Sequence, residues 1–484
     1  MENISQILTI AGVVVYWLIL AGVAVRIVIK RRTIGVSFSW LLVIYFLPLV
    51  GILAYFLFGE LHIGNSRAAR SKSMFKPYGD WFAKLYRHPE HRPESQSHYA
   101  VSISKLCDSQ LTIPSLSGNN LELQYTPTQI LSSIAKDIEA AKHSINMEFY
   151  IWYPGGLADD IAIALINAAQ RGVKVKLLLD AAGSRQFFKS TWPKKMRHYG
   201  IEVVAALIVS PLRMLFRRLD LRLHRKIVVI DNKIGYTGSM NLVDPACFKQ
   251  NEGVGQWIDV MVRITGPVVP IINTVQAWDW EVETHQRQLP QPPEAQIASL
   301  PPTSLVQVIP SGPGMPQEVI HKVLLQSLYE AKHRIVITTP YFVPSENLID
   351  ALTTAALRGV EVNLIIPRKN DSTMVKWASR SFFGELLKAG VKIHRFNGGL
   401  LHTKSVVVDD EHCLIGTVNL DMRSLWLNFE LTLAVDDSMF SRNLARVQQG
   451  YIDDAEQLEL KRWQRRPLYK RFIEQLFYLF SPLL

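Results

Sequence analysis

Two segments of the sequence decide the fold, LHRKIVVID at residues 223–231 and LHTKSVVVD at residues 401–409. Each has His and Lys two positions apart at the start of an apolar run and Asp at its end. Because side chains alternate along a strand, the His and the Lys point to one face, while the Asp comes where the strand enters a turn. A Lys among buried Val and Ile is costly unless an anion meets it, so the pattern favours a functional site over a surface strand.

The two segments belong to a longer pattern that repeats after about 190 residues. In the first copy, AKH at 141–143 precedes a strand, a helix and AAQRGVKV at 168–175; in the second, AKH at 331–333 precedes a strand, a helix and AALRGVEV at 355–362. Helices that alternate with strands indicate a parallel sheet. We therefore expect an α/β fold with two pseudo-symmetric halves, whose mixed, largely parallel sheets are flanked by helices.

The rest of the chain divides by composition. Residues 7–25 carry no charge and, as a helix, would cross most of a ~30 Å hydrocarbon core; a second uncharged stretch follows at 33–59. The predicted order is two transmembrane helices forming a hairpin at 1–60, a connector at 61–117, the first half at 118–288, a Pro-rich linker at 289–303, the second half at 304–460 and a basic amphipathic segment at 461–484. Prolines such as Pro77 are expected to break any long helix in the connector. Basic residues flank both apolar stretches, which leaves the orientation in the membrane open.

Composition and charge limit the partners. The chain of 484 residues is 48% hydrophobic with a net charge of +11, which excludes disordered and collagen-like classes and favours an anionic partner. Its 3 cysteines are far apart, so neither a disulfide framework nor a zinc knuckle is indicated. Besides 461–484, a second basic segment with interleaved apolar residues predicts contact with anionic headgroups; its arginines are Arg213, Arg217, Arg218, Arg222 and Arg225.

The residue types of the repeated motif suit a phosphodiester. One neutral His attacks phosphorus and the other, as imidazolium, protonates the leaving oxygen; an imidazole pKa near 6.5 allows one ring in each form. The catalytic candidates are His224, Lys226, Asp231, His402, Lys404 and Asp409. The candidates for binding the phosphate oxygens are Ser239, Asn241, Thr417 and Asn419, and those for accepting a hydrogen bond from the second ring nitrogen are Asp259 and Glu430. The two motif aspartates would complete ion pairs or orient the ring and the lysine. This chemistry requires no metal and no cofactor.

With its continuations GSMN at 238–241 and GTVNLDMRS at 416–424, the sequence resembles the phospholipase D superfamily and, within it, the bacterial cardiolipin synthases of the A type. The resemblance implies that two phosphatidylglycerol molecules are condensed to cardiolipin and glycerol through a phosphatidyl-histidine intermediate. It implies a multi-pass protein of the bacterial inner membrane whose partners are phosphatidylglycerol, other anionic phospholipids and the bilayer, with no nucleic acid. It also implies that His224 is the nucleophile and His402 the acid and then the base.

Other functions stay open on the residues alone. A phosphodiesterase acting on nucleic acid uses the same motifs, although two membrane helices argue against it. A hydrolytic phospholipase D, or a transferase using another alcohol, differs only in the acceptor, and no single residue decides between them. A non-catalytic membrane scaffold is disfavoured by the intact His and Lys in both copies. The sequence is compatible with an oligomer and does not define one.

Overall fold

The computed structural model describes residues 2–30, 34–59, 65–88, 91, 97–208, 220–294, 304–316 and 318–481. These residues form two compact units. One unit comprises Met1–Ala68 with Val209–Leu221, and the other comprises Ala69–Ile208 with Arg222–Leu484.

The first unit is helical and apolar. Its elements are α1 (Glu2–Ile29), α2 (Ile34–Phe46), α3 (Pro48–Ala54) and a π-helical turn (Tyr55–Gly59). Residues Thr9–Ile29 of α1 have a mean hydropathy of 2.4 and are long enough to span a membrane. Pro48 has no N–H with which to continue α2, and α3 packs so closely on α2 that a Cβ on Gly51 would lie 2.8 Å from Ile44 Cα. The second predicted membrane helix is therefore divided into α2 and α3. Within the described residues α1 is the only helix long and apolar enough to span a membrane.

The predicted connector contains two helices, α4 (Asn65–Leu85) and α5 (His98–Leu111). The expectation that Pro77 ends a helix is wrong, because α4 continues through it. Side chains such as Tyr78 and Trp81 of α4 are buried in the main hydrophobic core. Burying several such side chains outweighs the ~3 kcal/mol that an internal proline costs a helix.

The first half follows the predicted alternation of strands and helices. Its strands are β1 (Leu116–Gln124), β2 (Ser144–Phe149), β3 (Lys174–Asp180), β4 (Glu202–Ala206), β5 (Lys226–Ile230), β6 (Ile234–Gly238), β7 (Trp257–Ile258) and β8 (Met261–Thr265). Its helices are α6 (Pro127–Ala140), α7 (Leu157–Gln170), α8 (Arg185–Lys189), α9 (Trp192–His198) and α10 (Val269–Thr284), with a short 3₁₀ turn at Gln250–Glu252.

The second half repeats this arrangement and then extends it. Its strands are β9 (Ser304–Ser311), β10 (Arg334–Thr338), β11 (Phe342–Val343), β12 (Glu361–Pro367), β13 (Lys392–Phe396), β14 (Leu400–Leu401), β15 (Ser405–Val408), β16 (His412–Gly416), β17 (Leu420–Asp421), β18 (Glu430–Asp436) and β19 (Ala455–Gln457). Its helices are α11 (Val319–Glu330), α12 (Glu346–Leu357), α13 (Thr373–Ala389), α14 (Met422–Trp426), α15 (Ser438–Asp453), α16 (Leu460–Gln464) and α17 (Leu468–Tyr478).

The two halves share one continuous sheet. Its order is β19-β13-β12-β10-β15-β16-β18-β9-β1-β8-β6-β5-β2-β3-β4, so the halves join where β9 pairs with β1. The predicted pair of α/β halves with a mixed sheet is confirmed. The expectation of a largely parallel sheet is wrong, since parallel pairing within this sheet is confined to β2-β3-β4 and β10-β12-β13. The motif strands β5 and β15 return through tight hairpins and so pair antiparallel on both sides.

Candidate active site

The histidine of each motif is held by the backbone of the opposite half. Leu223 forms a parallel bridge with Phe429, and the His224 N–H donates to the Phe429 carbonyl at 2.9 Å. In the same way β14 pairs with β7, and the His402 N–H donates to the Ile258 carbonyl at 2.8 Å. The residue that follows each of these carbonyls is an acid of that opposite half. The backbone pairing therefore brings each histidine beside a carboxylate from the other copy of the repeat.

The two histidines and two acids form crossed pairs. His224 Nδ1 lies 2.8 Å from Glu430 Oε2, and His402 Nδ1 lies 2.7 Å from Asp259 Oδ1. All four side chains are buried. A carboxylate at Nδ1 fixes the tautomer with the proton on that atom, which leaves the lone pair of each ring on Nε2. The structure thus places Glu430 and Asp259 at the second ring nitrogen, each across the boundary between the halves.

The motif lysines lie inside the same cluster. Lys226 Nζ donates to the carbonyl of His224 at 2.7 Å, and Lys404 Nζ donates to that of His402. Burial lowers the pKa of Lys226 to about 8. Burial also lowers the pKa of Lys404 to about 7, and the charge of Lys226 acts in the same direction. An anion bound between these lysines would raise both pKa values again.

Burial dominates the titration of the two histidines as well. It lowers the pKa of His224 and of His402 to about 4; the acid beside each ring raises the pKa and the lysine charges lower it. Both rings are therefore neutral near pH 7 before an anion binds. The expectation of one neutral and one protonated ring from ordinary pKa values does not hold for this site; the second charge state requires the negative charge of a substrate.

Both histidines line one cavity of about 480 Å³ between the halves. Aromatic rings cover them: the ring centroid of Tyr150 lies 5.0 Å from that of His224, and the centroid of Trp257 lies 4.4 Å from that of His402. Within the described ranges, no group of three or more His, Cys, Asp or Glu side chains could hold a metal ion.

The two predicted asparagines line this cavity. Asn241 Oδ1 accepts from the Ile151 N–H at 3.2 Å, and its buried Nδ2 has no hydrogen-bond partner in the described part of the chain. Asn419 Nδ2 instead donates to Ser424 Oγ at 3.2 Å. Asn241 Nδ2 therefore has both of its N–H groups available for a bound oxygen, and Asn419 Nδ2 has one.

Ser239 and Thr417, predicted to contact the phosphate, lie behind the acids and do not line the cavity. Ser239 Oγ donates to Asp259 Oδ1 at 2.6 Å. Thr417 Oγ1 accepts from the Leu431 N–H at 2.9 Å. Both hydroxyl groups therefore hold the acid-bearing segments in place, and their contact with substrate is not supported by the structure.

The motif aspartates lie at the far end of their strands, roughly 20 Å from the histidines at about 3.3 Å per residue. Asp231 accepts from the N–H groups of residues 142–144 at 2.7–2.8 Å, and Asp409 accepts from those of residues 332–334 at 2.7–2.8 Å. Asp231 and Asn232 have φ of 52° and 56°, which suits Asp and Asn in a tight hairpin turn. The structure therefore corrects the catalytic assignment of Asp231 and Asp409: they fix the turn to the start of the neighbouring strand.

Arg225 also lies elsewhere than predicted. It is fully buried, its guanidinium pairs with Asp279, and its Nε donates to the carbonyl of Glu430 at 2.9 Å. It therefore supports an acid of the site and does not face a lipid headgroup. The predicted headgroup contacts of Arg213, Arg217 and Arg218 lie outside the described residues.

Comparisons with known proteins agree with this geometry. Residues 134–262 and 324–450 each match the family described as "Cardiolipin synthase, PLD-like domain", and residues 15–60 match "Phospholipase_D-nuclease N-terminal". Cardiolipin synthase A of Yersinia pseudotuberculosis serotype IB (strain PB1/+) is 54% identical over 471 residues, which cover 97% of each chain. The chain belongs to the cardiolipin synthase family. Cardiolipin synthase A of Yersinia pestis shows the same identity and coverage.

The fold of this cardiolipin synthase family member has a relative among solved structures. The phosphatidylserine synthase of Haemophilus influenzae Rd KW20 superposes with a TM-score of 0.57 at 16% identity, covering 79% of this chain and 97% of that chain. At this identity the likeness concerns the fold alone. The resemblance to the phospholipase D superfamily expected from the two motifs is confirmed by the family matches at residues 134–262 and 324–450.

Several cavity residues of this family member were not predicted as site residues. They are Tyr150, Trp257, Tyr341 and Arg423; Arg222 was predicted only as part of the basic segment that contacts anionic headgroups. Tyr150 and Tyr341 both follow the strand that comes after AKH. A tyrosine at this place in both copies of the repeat is a signal from which the two residues could have been predicted. Arg222 and Arg423 have no arginine at the equivalent position of the other copy, so a comparison of the two copies does not identify them.

Proposed function

We propose that this protein transfers a phosphatidyl group between two phosphatidylglycerol molecules to form cardiolipin and glycerol. The observation that carries the proposal is the pair of histidines from opposite halves in one cavity, each with its Nδ1 on a carboxylate of the other half. The halves, with limits near 118–288 and 304–460, act as one catalytic unit. The catalytic side chains are His224, His402, Lys226 and Lys404.

In the first step the neutral His224 attacks the donor phosphorus through Nε2. A phosphorus–nitrogen bond forms, the bond from phosphorus to the headgroup glycerol oxygen breaks, and His402 as imidazolium gives its proton to that oxygen. The proton on His402 is taken up when the anionic phosphate binds, because the phosphate charge opposes the effect of burial on the imidazole pKa. Lys226 and Lys404 neutralise the charge of the non-bridging oxygens, and the Nδ2 of Asn241 donates a hydrogen bond to one of them.

In the second step the neutral His402 accepts a proton from the terminal hydroxyl of a second phosphatidylglycerol headgroup. The hydroxyl oxygen forms a new bond to phosphorus, and the phosphorus–nitrogen bond to His224 breaks. Water competes for the same intermediate and would give phosphatidic acid. A site at a lipid surface favours the lipid acceptor through its high local concentration.

The protein associates with a membrane, and we place it in the bacterial inner membrane with Thr9–Ile29 as its span. The structure lends no support to a multi-pass arrangement. The C-terminal helix α17 provides a second, peripheral contact, because its outer face is apolar while Glu474 on its inner face pairs with Arg380 at 2.9 Å and Arg466 at 2.8 Å. The exposed apolar side chains, each with 43–78% of its surface accessible, are Leu468, Tyr469, Phe472, Leu476, Leu479 and Phe480. Basic residues beside this face, such as Arg462 and Arg465, complement anionic headgroups.

The test is incubation of the purified full-length protein with labelled phosphatidylglycerol alone. Equal amounts of cardiolipin and free glycerol support the transferase. Phosphatidic acid with glycerol and no cardiolipin would identify a hydrolase and refute the proposal. His402→Ala serves as the control for contaminating activity.

A further inference from the structure

The site contains more cationic side chains than one phosphodiester needs. The two lysines are buried next to the histidines, and Arg222 and Arg423 line the cavity itself. Neither arginine belongs to the repeat: Leu400 occupies the position equivalent to Arg222, and Pro245 occupies the position equivalent to Arg423. Each catalytic group has a counterpart of the same residue type in the other copy of the repeat, whereas these two arginines do not. They therefore distinguish one side of an otherwise pseudo-symmetric cavity.

Both arginines are positioned by the segment that carries Glu430. The carbonyl of Arg222 accepts from the Phe429 N–H at 3.0 Å. Arg423 begins the turn that leads to this segment, and its carbonyl accepts from the N–H groups of Leu427 at 2.8 Å and Asn428 at 2.9 Å. Both side chains are partly accessible, as binding from the cavity requires.

Tyr150 places the two guanidinium groups near each other and near His224. Arg222 hydrogen-bonds to its hydroxyl, and the charges of Arg222 and Arg423 both act on that group, whose pKa is raised by burial. The Tyr150 ring in turn lies against His224, with centroids 5.0 Å apart. The two arginines thus lie in the same part of the cavity as Tyr150.

The acceptor lipid differs from water, which competes with it for the intermediate, in one property that the two arginines can recognise. The acceptor lipid carries its own phosphodiester, separated from the attacking hydroxyl by the three carbons of its glycerol. The planar fork of arginine suits bidentate binding of phosphate oxygens better than an ammonium does. We propose that Arg222 and Arg423 form a subsite for the phosphate of the acceptor lipid, an assignment that rests on the proposed transferase function.

Glycerol exchange separates this subsite from the donor chemistry. Free glycerol can attack the phosphatidyl-His224 bond with His402 as base, which regenerates phosphatidylglycerol and incorporates labelled glycerol without any acceptor phosphate. Arg423→Gln and Arg222→Gln are expected to lower cardiolipin formation by about tenfold or more, while glycerol exchange stays within about threefold of the wild-type rate. Lysine at either position retains the charge but loses the fork, so it should restore activity only in part.

Arg368→Gln is the matched control, because Arg368 is exposed and lies outside this cavity. It should change neither reaction. An equal loss of exchange and cardiolipin formation in the two glutamine variants would assign the arginines to the donor and overturn the proposal, as would unchanged cardiolipin formation. If the wild-type protein exchanges glycerol but makes no cardiolipin, the proposed function fails and the subsite fails with it.

Discussion

Replacing Glu430 with Gln tests the crossed pairing of histidine and acid. Attack through Nε2 leaves a positive charge on the His224 ring, because the proton on Nδ1 remains, and Glu430 lies 2.8 Å from that atom. Glutamine still offers an oxygen to the ring but removes the negative charge. At an effective dielectric constant of about 20, unit charges about 4 Å apart interact by about 4 kcal/mol. The variant should therefore form the phosphatidyl-enzyme roughly 10³-fold more slowly.

The assay is rapid mixing of enzyme with labelled phosphatidylglycerol in detergent micelles, followed by an alkaline quench that preserves phosphohistidine. Asp259→Asn should slow the reaction to a similar extent, since it removes the charge that stabilises protonated His402. Glu456→Gln is the control, because it removes a carboxylate of the same half that pairs with Arg395 at 2.8 Å, outside the cavity. A loss of less than about tenfold for Glu430→Gln would refute the electrostatic role of the crossed acid.

Three further predictions concern stability and the membrane. Asp231→Asn should lower the free energy of unfolding by about 2 kcal/mol, as measured by thermal inactivation, because the Asp231 carboxylate binds backbone N–H groups. Since these groups are far from the site, kcat of the folded enzyme should stay within about twofold. A large loss of kcat would show that Asp231 is catalytic. Acid should destabilise the protein, because the pKa values of His224 and His402 are about 4 in the folded state and near 6.5 in the unfolded state. Each histidine therefore removes about 2 kcal/mol of stability between pH 7 and pH 5. An unfolding temperature that does not fall over this range would contradict the burial of the rings. Phe472→Asp with Leu476→Asp should weaken binding of a soluble form lacking residues 1–68 to phosphatidylglycerol vesicles by at least about tenfold, relative to Met439→Asp on an exposed residue of α15; equal binding would show that α17 does not contact the bilayer.

The sequence was sufficient to predict the chemistry of the centre. His and Lys two positions apart in a repeated strand indicate a two-fold site for a phosphodiester, and the structure brings His224 and His402 to one cavity. The sequence was not sufficient to predict that each acid pairs with the histidine of the opposite half. Within each repeat Asp259 and Glu430 follow their own motif, and only the pairing of β7 with β14 and of Leu223 with Phe429 shows that each serves the other half.

The incorrect expectations have physical causes. Asp231 and Asp409 were assigned to catalysis by motif membership, whereas a positive φ and three backbone N–H partners explain the same residue type through the turn. The ordinary imidazole pKa was assumed because the burial that lowers it comes from segments remote in sequence, including the opposite half. Pro77 was taken as a helix end because local propensity does not include the burial of Tyr78 and Trp81 in the main core.

Mapping the covalent intermediate tests most directly whether one phosphorus is held between two histidines of opposite halves. The enzyme would be quenched under alkaline conditions during turnover of phosphatidylglycerol labelled in its phosphate, digested, and its labelled peptide identified by mass spectrometry. The expected result is label on His224 alone. In the His402→Ala variant, label should accumulate on His224 only when the leaving glycerol is replaced by a group that leaves without being protonated. Label on any residue outside the two histidines, or label on His402 in the His224→Ala variant at the wild-type rate, would contradict the account.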